Sequence, residues 1–147
     1  MPSSAWKNFG SNIAALIKES NDSIFEFHLQ GNLGAGKTTL VRGVLRALGW
    51  GGSVKSPTYT ICEEYDFEEF LILHIDLYRT EIEEDIEMLE LNRDFDGKKV
   101  IFIEWPEKVE GKRMANLKIN MMHYQNSRKI EMIGDTILIE KLMKEDK

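Results

Sequence analysis

GNLGAGKTTL, residues 31–40, is the stretch of sequence that decides the fold. It matches the spacing G-x-x-x-x-G-K-[ST] of a phosphate-binding loop through Gly31, Gly36, Lys37 and Thr38. In such a loop the glycines let backbone N–H groups converge on phosphate oxygens, the lysine adds a positive charge, and the hydroxyl can bind magnesium. The stretch therefore predicts a nucleotide-phosphate site. An ordinary glycine-rich turn is the alternative.

The sequence on either side of the loop has the pattern that this motif requires. Phe25, Phe27 and Leu29 alternate with polar residues, which predicts a strand that leads directly into the loop. After the loop, apolar residues recur at helical spacing as far as a stop at Gly49; they are Leu40, Val41, Val44, Leu45 and Leu48. Strand, loop and helix thus follow one another in the expected order.

Length and composition limit the class of protein. The 147 residues, 42% hydrophobic and 30% charged, predict one globular domain over residues 1–147, with the tail from residue 135 left unassigned. A formal net charge of −6 argues against nucleic-acid binding over the whole surface, so we expect RNA contact only through a partner. A single cysteine, Cys62, and the lack of an apolar run of ~20 residues predict a cytoplasmic protein without membrane contact.

The other segments predict alternating helices and strands. We expect a helix over residues ~4–19, strands over residues 59–67 and 71–78, and an acidic helix after Thr80. Residues 100–103 form a continuous apolar run, as in a central parallel strand that is covered on both faces. A hairpin over residues 117–132 and a short helix over residues 137–142 complete the predicted chain.

Glu104 follows that apolar run and is the predicted magnesium ligand. Ligands bind beyond the carboxyl ends of parallel strands, and phosphate-loop enzymes place an acidic group there, near the metal. Magnesium would compensate the charge of a carboxylate that otherwise loses its hydration at considerable cost. The alternative is an ordinary glutamate at a strand end that faces water.

The sequence HIDLYR, residues 74–79, places a second acidic group on a strand. Its period of two sends His74, Asp76 and Tyr78 to one face and apolar residues to the other. Asp76 could order an attacking water or hold a metal-bound water, and Arg79 could neutralise phosphate charge or hold the carboxylate. The alternative is a polar network that only stabilises the sheet, and His74 by itself fits a structural role better than a catalytic one.

Two further positions suggest contacts with a nucleotide. Thr58, in the turn Ser56-Pro57-Thr58, lies where nucleotide switches carry a sensor for the γ-phosphate or magnesium. Trp105 could stack on a base or serve as an anchor of the core, and the sequence does not separate these. Because the chain has no N-K-x-D or T-K-x-D tetrapeptide for reading guanine, ATP is the expected nucleotide.

Four motifs together closely resemble the bacterial TsaE family, formerly YjeE, whose members are ATPases required for making threonylcarbamoyladenosine in tRNA. The motifs are GNLGAGKT, SPTYT, HIDLYR and IEWP, and the resemblance extends to about Arg128. It implies an α/β fold of the P-loop NTPase type, a three-layer sandwich with a mostly parallel central sheet and antiparallel hairpins. It also implies ATP and Mg²⁺ as ligands, and a complex with TsaB and TsaD family proteins through which tRNA is met only indirectly.

The resemblance also assigns individual residues. It places the phosphates on Asn32, Leu33, Gly34, Ala35, Gly36, Lys37, Thr38 and Thr39. It places magnesium on Thr38 and Glu104, catalysis near Asp76, the base near Trp105, and a late nucleotide contact on Arg128. Lys37 and Thr58 complete the predicted catalytic set. Asn32 departs from the aspartate frequent in the family, but because this position faces the phosphates through its backbone, we expect little loss of function.

We therefore predict an ATPase whose hydrolysis drives or resets a tRNA-modifying complex, weakly active alone and stimulated by its partners. A small acidic domain can act in this way by changing shape between nucleotide states. One alternative is a small-molecule kinase, although the chain has no arginine pair at the spacing of a kinase lid. The other is a scaffold that binds ATP and hydrolyses nothing.

Overall fold

Six strands form one mixed sheet in the computed structural model, which describes residues 3–32, 34–57, 61–78, 95–109, 111–124 and 127–144. Across the sheet their order is β2-β3-β4-β1-β5-β6. The strands are β1 (Ile24–Gln30), β2 (Cys62–Asp66), β3 (Phe70–Asp76), β4 (Lys98–Glu104), β5 (Leu117–Tyr124) and β6 (Ser127–Gly134).

The centre of the sheet is parallel and its two edges are antiparallel. β1 pairs in parallel with β4 on one side and with β5 on the other, and β3 pairs in parallel with β4. The edge strands β2 and β6 each run antiparallel to the neighbour that precedes or follows them in the chain. These pairings confirm the predicted α/β fold, with its mostly parallel sheet, its antiparallel hairpins and its buried run at residues 100–103.

Three helices occur in the described part of the chain: α1 (Ser3–Glu19), α2 (Lys37–Ala47) and α3 (Thr136–Lys144). Helices α1 and α2 approach closely where glycines face each other, since a Cβ atom on Gly10 would lie 3.1 Å from the carbonyl carbon of Gly43. Their apolar side chains pack with Phe25, Phe27, Val100 and Phe102 in one fully buried cluster. This cluster covers one face of the sheet. None of the described helices is long and apolar enough to cross a membrane.

A second apolar cluster lies on the opposite face of the sheet. It is formed by alternate residues of β3 and β4 together with Leu77 and Val109; the strand residues are Leu71, Leu73, Ile75, Ile101 and Ile103. Val109 ends a short 3-10 helix over Pro106–Val109. The acidic helix predicted after Thr80 lies outside the described residues.

This topology determines where polar side chains meet. Strands β1, β3 and β4 are parallel and adjacent, so their carboxyl ends reach the same edge of the sheet. The glycine loop follows β1, and Asp76 and Glu104 end β3 and β4 as paired residues of the ladder. All the described candidates for phosphate and metal chemistry except Arg128 are therefore at or next to this edge.

Candidate phosphate-binding site

The loop between β1 and α2 has a backbone that only glycine adopts readily. Gly36 precedes α2 with φ 107°, and Gly31 has φ 151°. A Cβ atom on Gly31 would lie 2.6 Å from the carbonyl oxygen of Met121, so a larger residue would push β5 away. Gly36 is the N-cap residue of α2 and has no side chain, so it offers no hydrogen-bond acceptor to the first backbone N–H groups of the helix. The loop thus presents a helix N-terminus to an anion.

Lys37, the first residue of α2, is buried next to this loop, with 4% of its surface exposed. Its Nζ donates a hydrogen bond to the carbonyl oxygen of Gly31 at 2.5 Å and lies 3.9 Å from the centre of the Trp105 ring. Burial lowers the pKa of Lys37, and the negative charges of Glu104, Asp76 and Glu107 act in the opposite direction. An ammonium group that has lost so much water is suited to gaining a strong anionic partner.

Glu104 joins the loop to the neighbouring strands. Its Oε2 accepts a hydrogen bond from the Thr38 hydroxyl at 3.0 Å and lies 2.5 Å from Nε2 of His74. Glu104 is 3% exposed and His74 is fully buried. The alternative of a strand-end glutamate that faces water is therefore wrong. Thr38 and Glu104 lie close together, as their prediction as joint magnesium ligands requires.

Asp76 lies beside Glu104, since the two residues are partners in the parallel ladder between β3 and β4. Asp76 is 6% exposed, and its Oδ1 accepts a hydrogen bond from the backbone N–H of Tyr78 at 2.9 Å. That contact fixes the carboxylate at the point where the strand ends. Two buried acidic groups from adjacent strands are thus brought to the loop that contains Lys37.

Trp105 lies directly after Glu104 and has a positive φ of 61°, which is rare for a residue with a side chain. Its ring contacts Tyr78 with a centroid separation of 4.9 Å and packs against the second apolar cluster. The residue therefore combines a partial core contact with the cation–π contact to Lys37. The prediction that it stacks on a base stays a prediction.

An open cavity of about 420 Å³ lies on the other side of the loop. It is lined by Gly31, Asn32, Ala35, Asn120, Met121 and Met122. Because β1 lies between β4 and β5, this cavity and Trp105 are on opposite sides of β1. Arg128 lies in β6, opposite His123 in the β5–β6 ladder. Leu33, Thr58 and Arg79 lie outside the described residues, so their predicted contacts stay predictions.

No group of three or more His, Cys, Asp or Glu side chains in the described ranges could hold a metal ion by itself. A metal at this site would take a hydroxyl oxygen from Thr38 and a carboxylate from Glu104, and its other ligands from a phosphate and water. Magnesium prefers such oxygen ligands and keeps several waters in nucleotide sites. The residues present therefore fit magnesium bound together with a nucleotide.

Two features of the buried polar groups did not follow from the sequence. One is the bond between His74 and Glu104, because the two residues are 30 positions apart. The other is a cluster on the opposite sheet face, where Glu26 lies 2.6 Å from Nε2 of His28 and 2.6 Å from Nη2 of Arg113. The sequence signals this cluster only through Glu26 and His28, an acid and a histidine two positions apart in a strand that is buried on both faces.

The chain also matches known proteins. Residues 2–130 match the family described as threonylcarbamoyl adenosine biosynthesis protein TsaE. A TsaE protein of Haemophilus influenzae is 41% identical over 132 residues, covering 88% of this chain and 84% of that protein. One from Bacillus subtilis is 42% identical over 82 residues, covering 56% of this chain and 51% of that protein.

The chain also has the fold of a solved structure. The crystal structure of Bacillus subtilis YdiB superposes with a TM-score of 0.72 at 25% identity, covering 100% of this chain and 93% of the other. The family match covers most of the chain, including all four motifs, and the H. influenzae relative matches at nearly full length. The chain therefore belongs to the TsaE family of tRNA threonylcarbamoyladenosine biosynthesis proteins.

Proposed function

We propose that this chain hydrolyses Mg²⁺-ATP in support of tRNA threonylcarbamoyladenosine synthesis, in a complex with TsaB and TsaD proteins. Family membership supports the place in this biosynthesis, and the site supports the chemistry. The observation that carries the proposal is the convergence of Lys37, Thr38 and Glu104 on one glycine loop, with a hydroxyl–carboxylate contact of 3.0 Å. Such a set of groups is typical of phosphoryl transfer from a nucleotide.

The loop and Lys37 would bind the phosphates. We expect the loop of residues 32–39 to bind them at the N-terminus of α2, where the helix dipole favours negative charge. Lys37 would exchange its bond to the Gly31 carbonyl for bonds to phosphate oxygens, which are stronger because both partners are charged. The burial that lowers the pKa of Lys37 also reduces the water that competes for those bonds.

Thr38 and Glu104 would hold magnesium, which when bound neutralises phosphate charge during the transfer. Asp76, next to Glu104 in the ladder, would orient the attacking water and accept its proton. Water then adds to the γ-phosphorus as the bond to the β-phosphate oxygen breaks, which gives ADP and inorganic phosphate. Thr58 would sense the γ-phosphate or the metal.

The nucleoside has room in the cavity across β1, beside Asn120 and Met121. Trp105 remains a proposed nucleotide contact, and its position over Lys37 favours the phosphate end. Arg128 lies in the strand next to β5 and remains a proposed contact on the nucleoside side. A fluorescent ATP analogue with its dye on the base would separate these assignments by its response to substitutions at Asn120 and Trp105.

Phosphate release tests the proposal. The pure chain should release phosphate from ATP slowly in Mg²⁺, and addition of TsaB and TsaD should raise the rate several-fold or more. A kinase would instead phosphorylate an added metabolite, and a scaffold would bind ATP with no turnover under any of these conditions. Either of those results would contradict the proposed activity.

A further inference from the structure

His74 is fully buried, and the structure shows one partner for it, Glu104. Within the described part of the chain, its other ring nitrogen, Nδ1, has no hydrogen-bond partner. A buried polar atom without a partner is unfavourable, and an apolar side chain would fill this position without that cost. The Nε2 contact therefore suggests a reason for a histidine here beyond core packing.

The hydrogen bond indicates which ring nitrogen donates. Nε2 lies 2.5 Å from Oε2 of Glu104, and two lone pairs at that separation would repel, so a proton lies between the two atoms. When Glu104 is the carboxylate that a metal needs, that proton is on Nε2, and His74 is a donor aimed at Glu104.

Two donors from different elements converge on one oxygen of Glu104. His74 donates from β3 and Thr38 donates from the first turn of α2, both to Oε2. The second oxygen, Oε1, takes part in neither bond. This arrangement restrains the rotation of the carboxylate and so defines where Oε1 lies.

We infer that His74 is a positioning residue for magnesium: its Nε2–H holds the Glu104 carboxylate in the orientation that receives the metal. The inference rests on the proposed function, since it adds a supporting residue to the same site. Groups that orient metal ligands in this way typically change metal affinity by about 10- to 100-fold when they are replaced. His74 does not contact nucleotide or metal itself in this role.

Two amide substitutions separate positioning from core packing. In His74→Gln the amide nitrogen reaches about as far as Nε2, so the donor to Glu104 is kept, whereas in His74→Asn the same group is one methylene too short. The matched control is His28→Asn, which removes another buried histidine whose Nε2 contacts a glutamate at 2.6 Å, on the far face of the sheet. Circular dichroism and thermal unfolding show which variants are folded. If His74→Asn does not fold, His74→Met fills the position without a donor.

The readout is the magnesium gain, defined as the affinity for a non-hydrolysable ATP analogue in Mg²⁺ divided by that in EDTA. We expect His74→Asn to reduce the gain by about ten-fold, with affinity in EDTA unchanged, and His74→Gln to stay within about three-fold of wild type. His28→Asn should keep the full gain, even where it lowers the unfolding temperature.

An unchanged gain in folded His74→Asn or His74→Met overturns the inference, as does an equal loss in His74→Gln. If the unmodified chain does not bind the analogue at all, the proposed function fails and the inference fails with it. If the chain binds with a large magnesium gain that no His74 variant changes, only the inference fails. The two failures are therefore distinguishable.

Discussion

Two buried histidine–glutamate pairs occupy opposite faces of the same sheet and have different surroundings. On one face Glu26 contacts His28 at 2.6 Å and is bound by Arg113, whose Nη2 and Nε reach both carboxylate oxygens. On the other face Glu104 contacts His74 at 2.5 Å and Thr38 at 3.0 Å, and none of the described arginines or lysines forms a salt bridge with it. Glu26 is thus paired with an arginine, whereas Glu104 has no such partner in the described part of the chain.

The two acids are both buried, and it is their partners that differ. Arg113 and His28 compensate the charge of Glu26, so this cluster links β1 to the segment after the 3-10 helix. Glu104 acts electrostatically on the neighbouring ammonium of Lys37, which bonds to the carbonyl oxygen of Gly31. A divalent cation that arrives with a polyphosphate would balance both groups at once.

The largest effect is expected at Asp76, beside Glu104. Asp76→Ala should lower partner-stimulated phosphate release by about 1,000-fold, because it removes the group proposed to orient water, while affinity for ATP stays within a few-fold of wild type. The control is Asp66→Ala, since Asp66 makes the same turn contact, from Oδ1 to the N–H two residues on, but lies away from the loop. Lost ATP binding in Asp76→Ala, with turnover per bound nucleotide intact, would contradict the assigned role.

Arg113→Met should have the next largest effect, and it acts on stability. Removing the cation leaves the buried Glu26 carboxylate without its main partner, and the free energy of unfolding should fall by about 3 kcal/mol in urea titrations. Binding of nucleotide per folded molecule should not change. A loss of nucleotide affinity that exceeds the loss of folded protein would show that the Glu26 face belongs to the site.

Glu104→Gln tests the other of the two buried acids. The amide oxygen can still accept from Thr38 and His74, so we expect a stability within about 1 kcal/mol of wild type. The magnesium gain in binding of an ATP analogue should fall by about ten-fold or more, because the anionic ligand is gone. A large loss of stability with an unchanged magnesium gain would mean that Glu104 is the structural acid.

The smallest expected effect is on the pH dependence of the free energy of unfolding. Burial alone raises the pKa of Glu26, but hydrogen bonds from His28 and Arg113 outweigh it, and the net pKa lies below the usual value of glutamate. The stability that this acid contributes is therefore complete above about pH 4.3, the usual pKa, and is lost as the pH falls through the lower, folded value. The gap in unfolding free energy between the wild type and Arg113→Met should shrink over that acidic range. A constant gap would contradict the charged pairing.

Much of the fold was predictable from sequence because its signals are local. The alternation at Phe25, Phe27 and Leu29 predicted β1, and the helical spacing after Lys37 predicted α2. The helix ends at Ala47, two residues before the predicted stop at Gly49. The hairpin and the final helix were also correctly predicted, although the elements extend one or two residues beyond the predicted ranges. Family resemblance then supplied the arrangement of these elements, which periodicity does not contain.

The site was only partly predictable, for a physical reason. Lys37, Thr38, Asp76 and Glu104 were recognisable because each follows a strand or loop signal. Their mutual contacts depend on strand order, and so does the donor role of His74, which the sequence alone favoured as a structural residue. Whether an acid is balanced by a cation, as Glu26 is by Arg113 across 87 positions, also depends on that order.

The most direct test is calorimetry of the pure chain with a non-hydrolysable ATP analogue, in Mg²⁺ and in EDTA, alone and with TsaB and TsaD. We expect one nucleotide per chain, bound more tightly in Mg²⁺, with binding lost in Lys37→Ala and the magnesium advantage lost in Glu104→Gln. If no magnesium-dependent binding of an adenine nucleotide is detected under any of these conditions, the Glu104 face does not hold a metal–nucleotide complex and the proposed ATPase is wrong.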